Sequence, residues 1–306
     1  MIRLLDIVLP VFLVIGLGYG LRLIGFIKAD QNAWLSRLVF YVAAPALLFR
    51  SLAQEDLAWS LRAPMLAIVG GTTVLVAAGV YLLAQREPPA RRGVLAQGAL
   101  RSNTVFIGLP LVLTAYGDAA LAPAAIVIAF MVVAENLLSV LVLTLPHQQH
   151  SAGELTLWLR TASKILANPL ILGCGGGILW SAFDLPLPVA LERALALFGR
   201  TAAPLGLLCV GAGLEFGRLR REVPAALGVG TVRLILHPAL IYAGLRLLGR
   251  TGLELAVPVL IMACPAAVVS YIMAREMGGD ASFAAAIIIG TTAASFFTLL
   301  AWLALL

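Results

Sequence analysis

Arg101, Ser102 and Asn103 stand side by side inside an apolar run, LRSNTVFIGLPLVLTAYGD (100–118), which also holds Gly108 and Pro110. A guanidinium at that depth could meet an anion in bidentate geometry. The Asn103 amide could donate to a carboxylate while its carbonyl accepts from freed backbone N–H groups. Each residue also has a plainer use. Arg101, roughly 15 Å into its helix at 1.5 Å per residue, could snorkel towards the surface or pair with an acid. Asn103 could simply join two helices by a hydrogen bond. Pro removes a backbone donor, Gly weakens a helix, and Arg and Asn are costly in hydrocarbon. A continuous membrane helix gains nothing from that mixture, so the run reads as a helix interrupted beside a ligand cavity, with Gly108 and Pro110 as structural breakers.

A second breaker lies at Pro265, in MACPAAVVSYIMARE (262–276). It should expose helix-terminus N–H groups that favour an anion, or it could be a simple kink. Ser102 and Cys264 flank the two breakers and complete the expected substrate site. Cys264, Cys174 and Cys209 sit in apolar runs without metal-ligand spacing and read as small core residues. Glu135 and Asn136 lie within a later apolar segment, with Ser139 one turn on. A carboxylic acid there could bind and release a proton, which makes Glu135 the leading proton-carrier candidate, or it could be a structural partner for Arg233 or Arg101. Arg233 and His237 are one helical turn apart. They could take part in ion coupling, or His237, just before Pro238, could satisfy a freed carbonyl. Asp118 and Asp280 follow glycines at segment junctions and look like helix N-caps. Gly16, Gly18, Gly20 and the Gly173–Gly177 cluster suggest close helix packing.

The elements that position these residues follow from composition. Of 306 residues 61% are hydrophobic and only 12% charged, with a mean hydropathy of +1.02. Soluble domains carry about 25% charge, so the chain is an all-α polytopic membrane protein without a sizeable soluble domain. Apolar segments occur near 5–25, 33–53, 64–85, 93–116, 119–145, 164–183, 189–214, 223–248, 253–275 and 280–305. That makes about ten transmembrane helices at roughly 20 residues each. Arg3 precedes the first apolar run, yet no small-residue cleavage site closes it, so it is expected to stay in the mature protein.

The chain also repeats itself. Pro10 matches Pro169, Ala43-Ala44-Pro45 matches Ala202-Ala203-Pro204, Pro64 matches Pro224, and Gly117-Asp118-Ala119 matches Gly279-Asp280-Ala281, at offsets of 159, 159, 160 and 162 residues. Gly16 and Gly18 likewise match Gly175 and Gly177. Two five-helix repeats follow, 1–145 and 164–306, joined by a connector at 146–163. An odd number of spans per repeat inverts one relative to the other, with the site expected at their interface on discontinuous helices. At an offset of 162, Asn103 maps onto Pro265.

The net charge of +6 could suggest nucleic acid in a soluble chain. Here the basic residues cluster in short loops, eleven on one side (Arg22, Lys28, Arg86, Arg91, Arg92, Arg160, Lys164, Arg218, Arg220, Arg221, Arg275) against six on the other (Arg3, Arg50, Arg62, Arg193, Arg246, Arg250). The poorer side also holds Glu55 and Asp56. The richer side is expected to be cytoplasmic, which puts both termini outside.

SNTVFIGLPLVLTAYG (102–117) resembles the fourth-helix motif of the auxin efflux carrier family, which includes plant PIN carriers and bacterial malate- or malonate-permease-like proteins. ACPAAVVSYIMAREMGGDASFAAAIIIGTTAAS (263–295) is similar to that family's ninth and tenth helices, and AAPLGLLCVGAGLEF (202–216) to its seventh. The resemblance covers nearly the whole chain. It implies ten helices in two inverted repeats, a scaffold and a transport domain, crossing broken fourth and ninth helices (a bile-acid-carrier-like fold), elevator-type movement and an organic-anion substrate. Plant members carry a proline where this chain has Ser102, and their long cytoplasmic loop is missing here.

No zinc-protease HExxH, Asp-rich pyrophosphate motif, Gly-x-Ser-x-Gly or nucleotide-binding loop occurs, so no catalytic residue, metal site or cofactor is expected. GGD at 278–280 matches part of an intramembrane aspartyl protease signature, but Met277 replaces its first Gly. The sequence therefore reads as a secondary carrier of mono- or dicarboxylates such as malate or malonate, proton-coupled or uniport, in the bacterial inner membrane. A sodium-coupled symporter of the bile-acid-carrier type is the nearest rival, followed by a channel or a membrane receptor. The expected partners are a small organic anion and the lipid bilayer, with no nucleic acid and with room for a homodimer.

Overall fold

The computed structural model describes residues 2–54, 59–147, 167–214 and 222–306. Most of the connector, along with Glu55, Asp56, Arg160, Lys164, Arg218, Arg220 and Arg221 of the charge count, lies outside them. The described residues are helical with no strand. Runs of Leu, Ile, Val and Ala cannot leave backbone groups bare in hydrocarbon, and the helix satisfies them within the segment.

In chain order the helices are α1 (Ile2–Leu23), α2 (Ala29–Leu38), α3 (Ala44–Ala53), α4 (Trp59–Leu83), α5 (Pro89–Leu100), α6 (Leu109–Tyr116), α7 (Leu121–Thr144), α8 (Pro169–Ala182), α9 (Val189–Gly199), α10 (Ala202–Ala212), α11 (Val223–Thr231), α12 (His237–Leu247), α13 (Leu253–Met262), α14 (Val269–Glu276) and α15 (Ala281–Leu305). Seven helical runs among the described residues are long and apolar enough to cross a membrane, and Pro169–Ala182 and Leu253–Met262 are shorter apolar helices.

Three π-helical turns interrupt these runs, at Val39–Ala43, Thr104–Gly108 and Val232–Leu236. Each is followed two residues later by a proline: Pro45, Pro110 and Pro238. Proline lacks the N–H that would bond the preceding turn, and a widened turn accommodates its ring without ending the helix. The predicted breaker Pro110 thus shifts the helical register, whereas the chain leaves the helix earlier, at 101–103.

The chain forms two compact units. One comprises 1–64, 104–132 and 166–214. Within it α1 lies against α10 and α8 against α3. A Cβ on Gly18 would run into the Leu208 carbonyl, and one on Gly211 into that of Ile15. A Cβ on Gly173 would stand 2.8 Å from the Pro45 carbonyl oxygen, and one on Gly177 2.6 Å from that of Phe49. The expectation for Gly16, Gly20 and Gly175 is corrected, because a Cβ there would meet nothing within 4 Å. Two residues are about 200° of helical rotation, so these three point away from the contact that their neighbours make. Arg22 donates to the carbonyls of Ala212 and Leu214 at 3.3 and 2.8 Å, closing the C-terminal end of α10. Cys174 and Cys209 are buried and free, as expected of small core residues.

The other unit comprises 65–103, 133–165 and 215–306. Its core gathers Val94 and Ala99 of α5, Leu143 of α7, Val229 of α11, and Phe283, Ala284 and Ile287 of α15. Asp280 caps α15, its carboxylate accepting from Phe283 N at 3.0 Å. Asp118 differs from its expected role. It lies inside a 3-10 turn, Gly117–Ala120, that leads into α7. Gly117 (φ +65°) turns the chain there and tightens the helix entry before Asp118 could cap it.

Candidate functional site

Two helices of the second unit break next to one another. After α5 the chain is extended at Arg101 (φ −94°, ψ 111°), and after α13 it is irregular from Ala263 to Val268. The two breaks form an isolated antiparallel bridge between Ser102 and Ala266. Asn103 N donates to Pro265 O at 2.8 Å, and Ala267 N donates to Arg101 O at 3.2 Å. The predicted pair Asn103 and Pro265 is therefore brought into direct backbone contact.

Broken helices leave carbonyls without intrahelical partners, and buried ones must find others. The acceptors at these two helix ends can be followed one by one. Gln97 O takes the Arg101 amide at 3.0 Å. Ala99 O and Leu100 O accept from Arg233 Nη1 at 3.2 and 2.9 Å. On α13, Ile261 O accepts from Ser102 Oγ at 2.7 Å. Met262 O accepts from Arg233 Nη2, and Cys264 O from Arg233 Nε at 3.1 Å. One fully buried guanidinium thus closes the C-terminal ends of both half-helices. Its planar fork of five N–H donors suits that task, since no acceptor or removable proton interferes.

Arg233 is held from behind. His237 Nδ1 lies 3.1 Å from Arg233 Nη1, and His237 Nε2 lies 3.1 Å from Thr73 Oγ1, which donates to Val69 O at 2.7 Å. Arginine can only donate, so Nδ1 is the acceptor and the imidazole proton sits on Nε2, facing a threonine whose own proton is already placed. The suggestion that His237 satisfies a carbonyl freed by Pro238 is corrected: its two nitrogens serve Arg233 and Thr73.

The other donors of the break meet α7. Ser102 N donates to Glu135 Oε1 at 2.9 Å. Arg101 donates to Asn136 Oδ1 at 2.9 Å, to Ser139 Oγ at 3.2 Å and to the Glu135 carbonyl at 3.4 Å. Its guanidinium stays buried, so snorkelling is ruled out in this conformation. The Glu135 carboxylate takes a backbone amide and forms no ion pair with Arg101 or Arg233 among the described residues. Ala266 N, which points away from the bridge, donates to Thr291 Oγ1 of α15 at 3.1 Å, and Thr291 donates onward to Ile287 O at 2.7 Å. Cys264 is fully buried and directs its thiol to Leu260 O at 3.3 Å.

Every predicted site residue except Gly108 and Pro110 thus lies in this unit, around the two breaks. Thr73 and Thr291 were missed. Their only signal was a hydroxyl inside an apolar segment, which more often bonds its own helix, as both also do here. Three buried charged groups surround the breaks: the guanidinium groups of Arg101 and Arg233, and the carboxylate of Glu135. Counted by side chains alone, the breaks carry one net positive charge when Glu135 is ionised and two when it is protonated.

Comparison with known proteins identifies the family. A family model described as membrane transport protein matches residues 4–303. A protein named "Putative malonate transporter" from Rhizobium meliloti (strain 1021) is 28% identical over 97% of this chain and 94% of its own length. An uncharacterized transporter from Methanothermobacter thermautotrophicus is 27% identical over 97% of this chain and 96% of its own. Another from Methanocaldococcus jannaschii is 24% identical over 97% of each. With a family model spanning almost its full length, the chain belongs to the membrane transport protein family, that of the auxin efflux carriers, and is a multi-pass membrane transporter.

Proposed function

We propose that this transporter carries small organic anions, mono- or dicarboxylates such as malonate or malate, at a site formed by the paired breaks. One observation carries the reading: two interrupted helices meet deep in an apolar unit, where two guanidinium groups and one carboxylate are buried around the breaks. An interrupted membrane helix is tolerated only where its freed backbone is buried in protein or lines a cavity, which is where carriers of this build hold their substrates. With Arg233 balanced by the helix ends, the charge of Arg101 is left over to select an anion when Glu135 is protonated. The N-terminal end of α14 follows the second break, and its dipole adds in the same direction. The relative named for malonate supports the choice of carboxylates.

In this reading Asn103 and Pro265 line the substrate site, flanked by Ser102 and Cys264. Arg101 supplies positive potential and Arg233 balances the helix ends, both without leaving their hydrogen bonds. Glu135 is the proton carrier if transport is proton-coupled: its carboxylate holds the Ser102 amide at the break, so its protonation state is felt where substrate binds. Asn136 and His237 orient Arg101 and Arg233. The remaining architecture we propose is ten spans in two inverted repeats, 1–145 and 164–306, with elevator-type alternating access in the bacterial inner membrane and both termini outside. A homodimer is the proposed assembly. The test is uptake of labelled malonate into proteoliposomes, competed by a panel of carboxylates and repeated with and without a pH gradient. Saturable uptake supports the reading, and absence of uptake and counterflow for every acid in the panel refutes it.

A further inference from the structure

In carriers built from interrupted helices, the unwound carbonyls and the C-terminal ends of half-helices coordinate the coupling cation. In this protein four of those acceptors are engaged by a single side chain. Ala99 and Leu100 at the end of α5, and Met262 and Cys264 at the end of α13, all accept from Arg233. Each helix C-terminus is equivalent to about half an elementary negative charge, so one guanidinium balances two ends. His237 and Thr73 fix it from the opposite side.

We propose that Arg233 is the resident cation of this carrier, a tethered charge occupying the place of a coupling metal ion between the two helix ends, so that transport proceeds without sodium. The proposal rests on the paired breaks being the transport site. A sodium ion would have to displace a group that makes bonds to both helices and keeps its charge throughout. The same geometry makes Arg233 a positioning residue: through its carbonyl contacts it sets the separation of the segments that carry Asn103 and Pro265.

A substrate-free assay separates this proposal from the choice of substrate. Thermal unfolding of purified wild type, Arg233→Ala and Arg233→Lys is followed in matched sodium, choline and dilute guanidinium chlorides. Wild type is expected to melt at the same temperature in sodium and choline, and to gain nothing from guanidinium. Arg233→Ala is expected to melt lower and to shift upward in guanidinium, which refills the vacated position. Malonate uptake by that variant should fall more than about tenfold, the worth of a single charge-assisted hydrogen bond, and recover with guanidinium. Should Arg233→Ala fail to accumulate, Arg233→Lys retains a cation and is expected to remain indifferent to sodium. Stabilisation of wild type or Arg233→Lys by sodium over choline would overturn the proposal, as would an alanine variant that guanidinium only destabilises. If no carboxylate is carried, the uptake arm fails alone and the melting arms still decide.

Discussion

Thr291→Val tests whether the breaks are held from α15. The hydroxyl of Thr291 accepts the Ala266 amide at 3.1 Å and donates to Ile287 O at 2.7 Å, with both residues fully buried. Valine keeps the volume and removes the acceptor. Its own lost donation is cheap, because Ile287 O remains a helical carbonyl. The Ala266 N–H, however, is left buried against a side chain that offers no acceptor. A buried donor stranded in this way costs about 1–3 kcal/mol, or about 5- to 150-fold in the folding equilibrium. Because Ala266 is the bridge partner of Ser102, the loss falls on the segment that carries Pro265. Thermal unfolding and labelled malonate uptake should therefore both decline. Thr291→Ser is the control. It gives up a methyl, about 1 kcal/mol, but keeps the acceptor, and should transport. A valine variant that melts and transports like wild type would refute the account of the bridge, as would a serine variant with transport as poor as valine's.

Other outcomes follow from the same contacts. Gly211→Ala should lower the melting temperature by the equivalent of about 1–3 kcal/mol, since its Cβ meets the Ile15 carbonyl; Gly16→Ala, facing open space on the same pair of helices, should be neutral or mildly stabilising. Asp280→Ala should cost about 1 kcal/mol by removing the cap on Phe283 N, with Asp118→Ala costing less, read by thermal unfolding of both. Glu135→Gln keeps an acceptor for the Ser102 amide and should fold normally, but uptake should no longer respond to a pH gradient; an unchanged response would remove Glu135 as the proton carrier.

Much of this site could be read from residue types alone, because breaking a membrane helix leaves a mark in sequence. Asn103 and Pro265 were paired by repeat offset and proved to be in backbone contact. Asp280 was legible as a cap, since capping is local. What was not legible depended on distant partners. The one-turn spacing of Arg233 and His237 is consistent with their contact, but nothing in it says that the arginine also closes two helix ends, one more than 130 residues away in sequence and the other about 30. Thr73 and Thr291 look like hydroxyls bonding their own helix, and only the fold shows their second bond. The glycines illustrate the same limit: Gly16, Gly18 and Gly20 are equivalent by composition, yet helical rotation brings only Gly18 against a neighbouring backbone. Ser102, which stands where plant relatives of the resembled family carry proline, contributes a hydroxyl to the Ile261 carbonyl, a role that proline could not fill.

The central claim is that a carboxylate is carried at the break formed by Asn103 and Pro265. Asn103→Leu tests it: the hydrogen bond to Pro265 uses the backbone N–H of Asn103 and survives the change, and the melting temperature reports what the buried amide contributes to packing. The decisive measurement is labelled malonate uptake and counterflow in proteoliposomes containing wild type or Asn103→Leu, with the melting temperature of both proteins measured alongside. The account predicts saturable uptake by wild type and none by a variant that melts normally. Uptake by Asn103→Leu equal to wild type would contradict it.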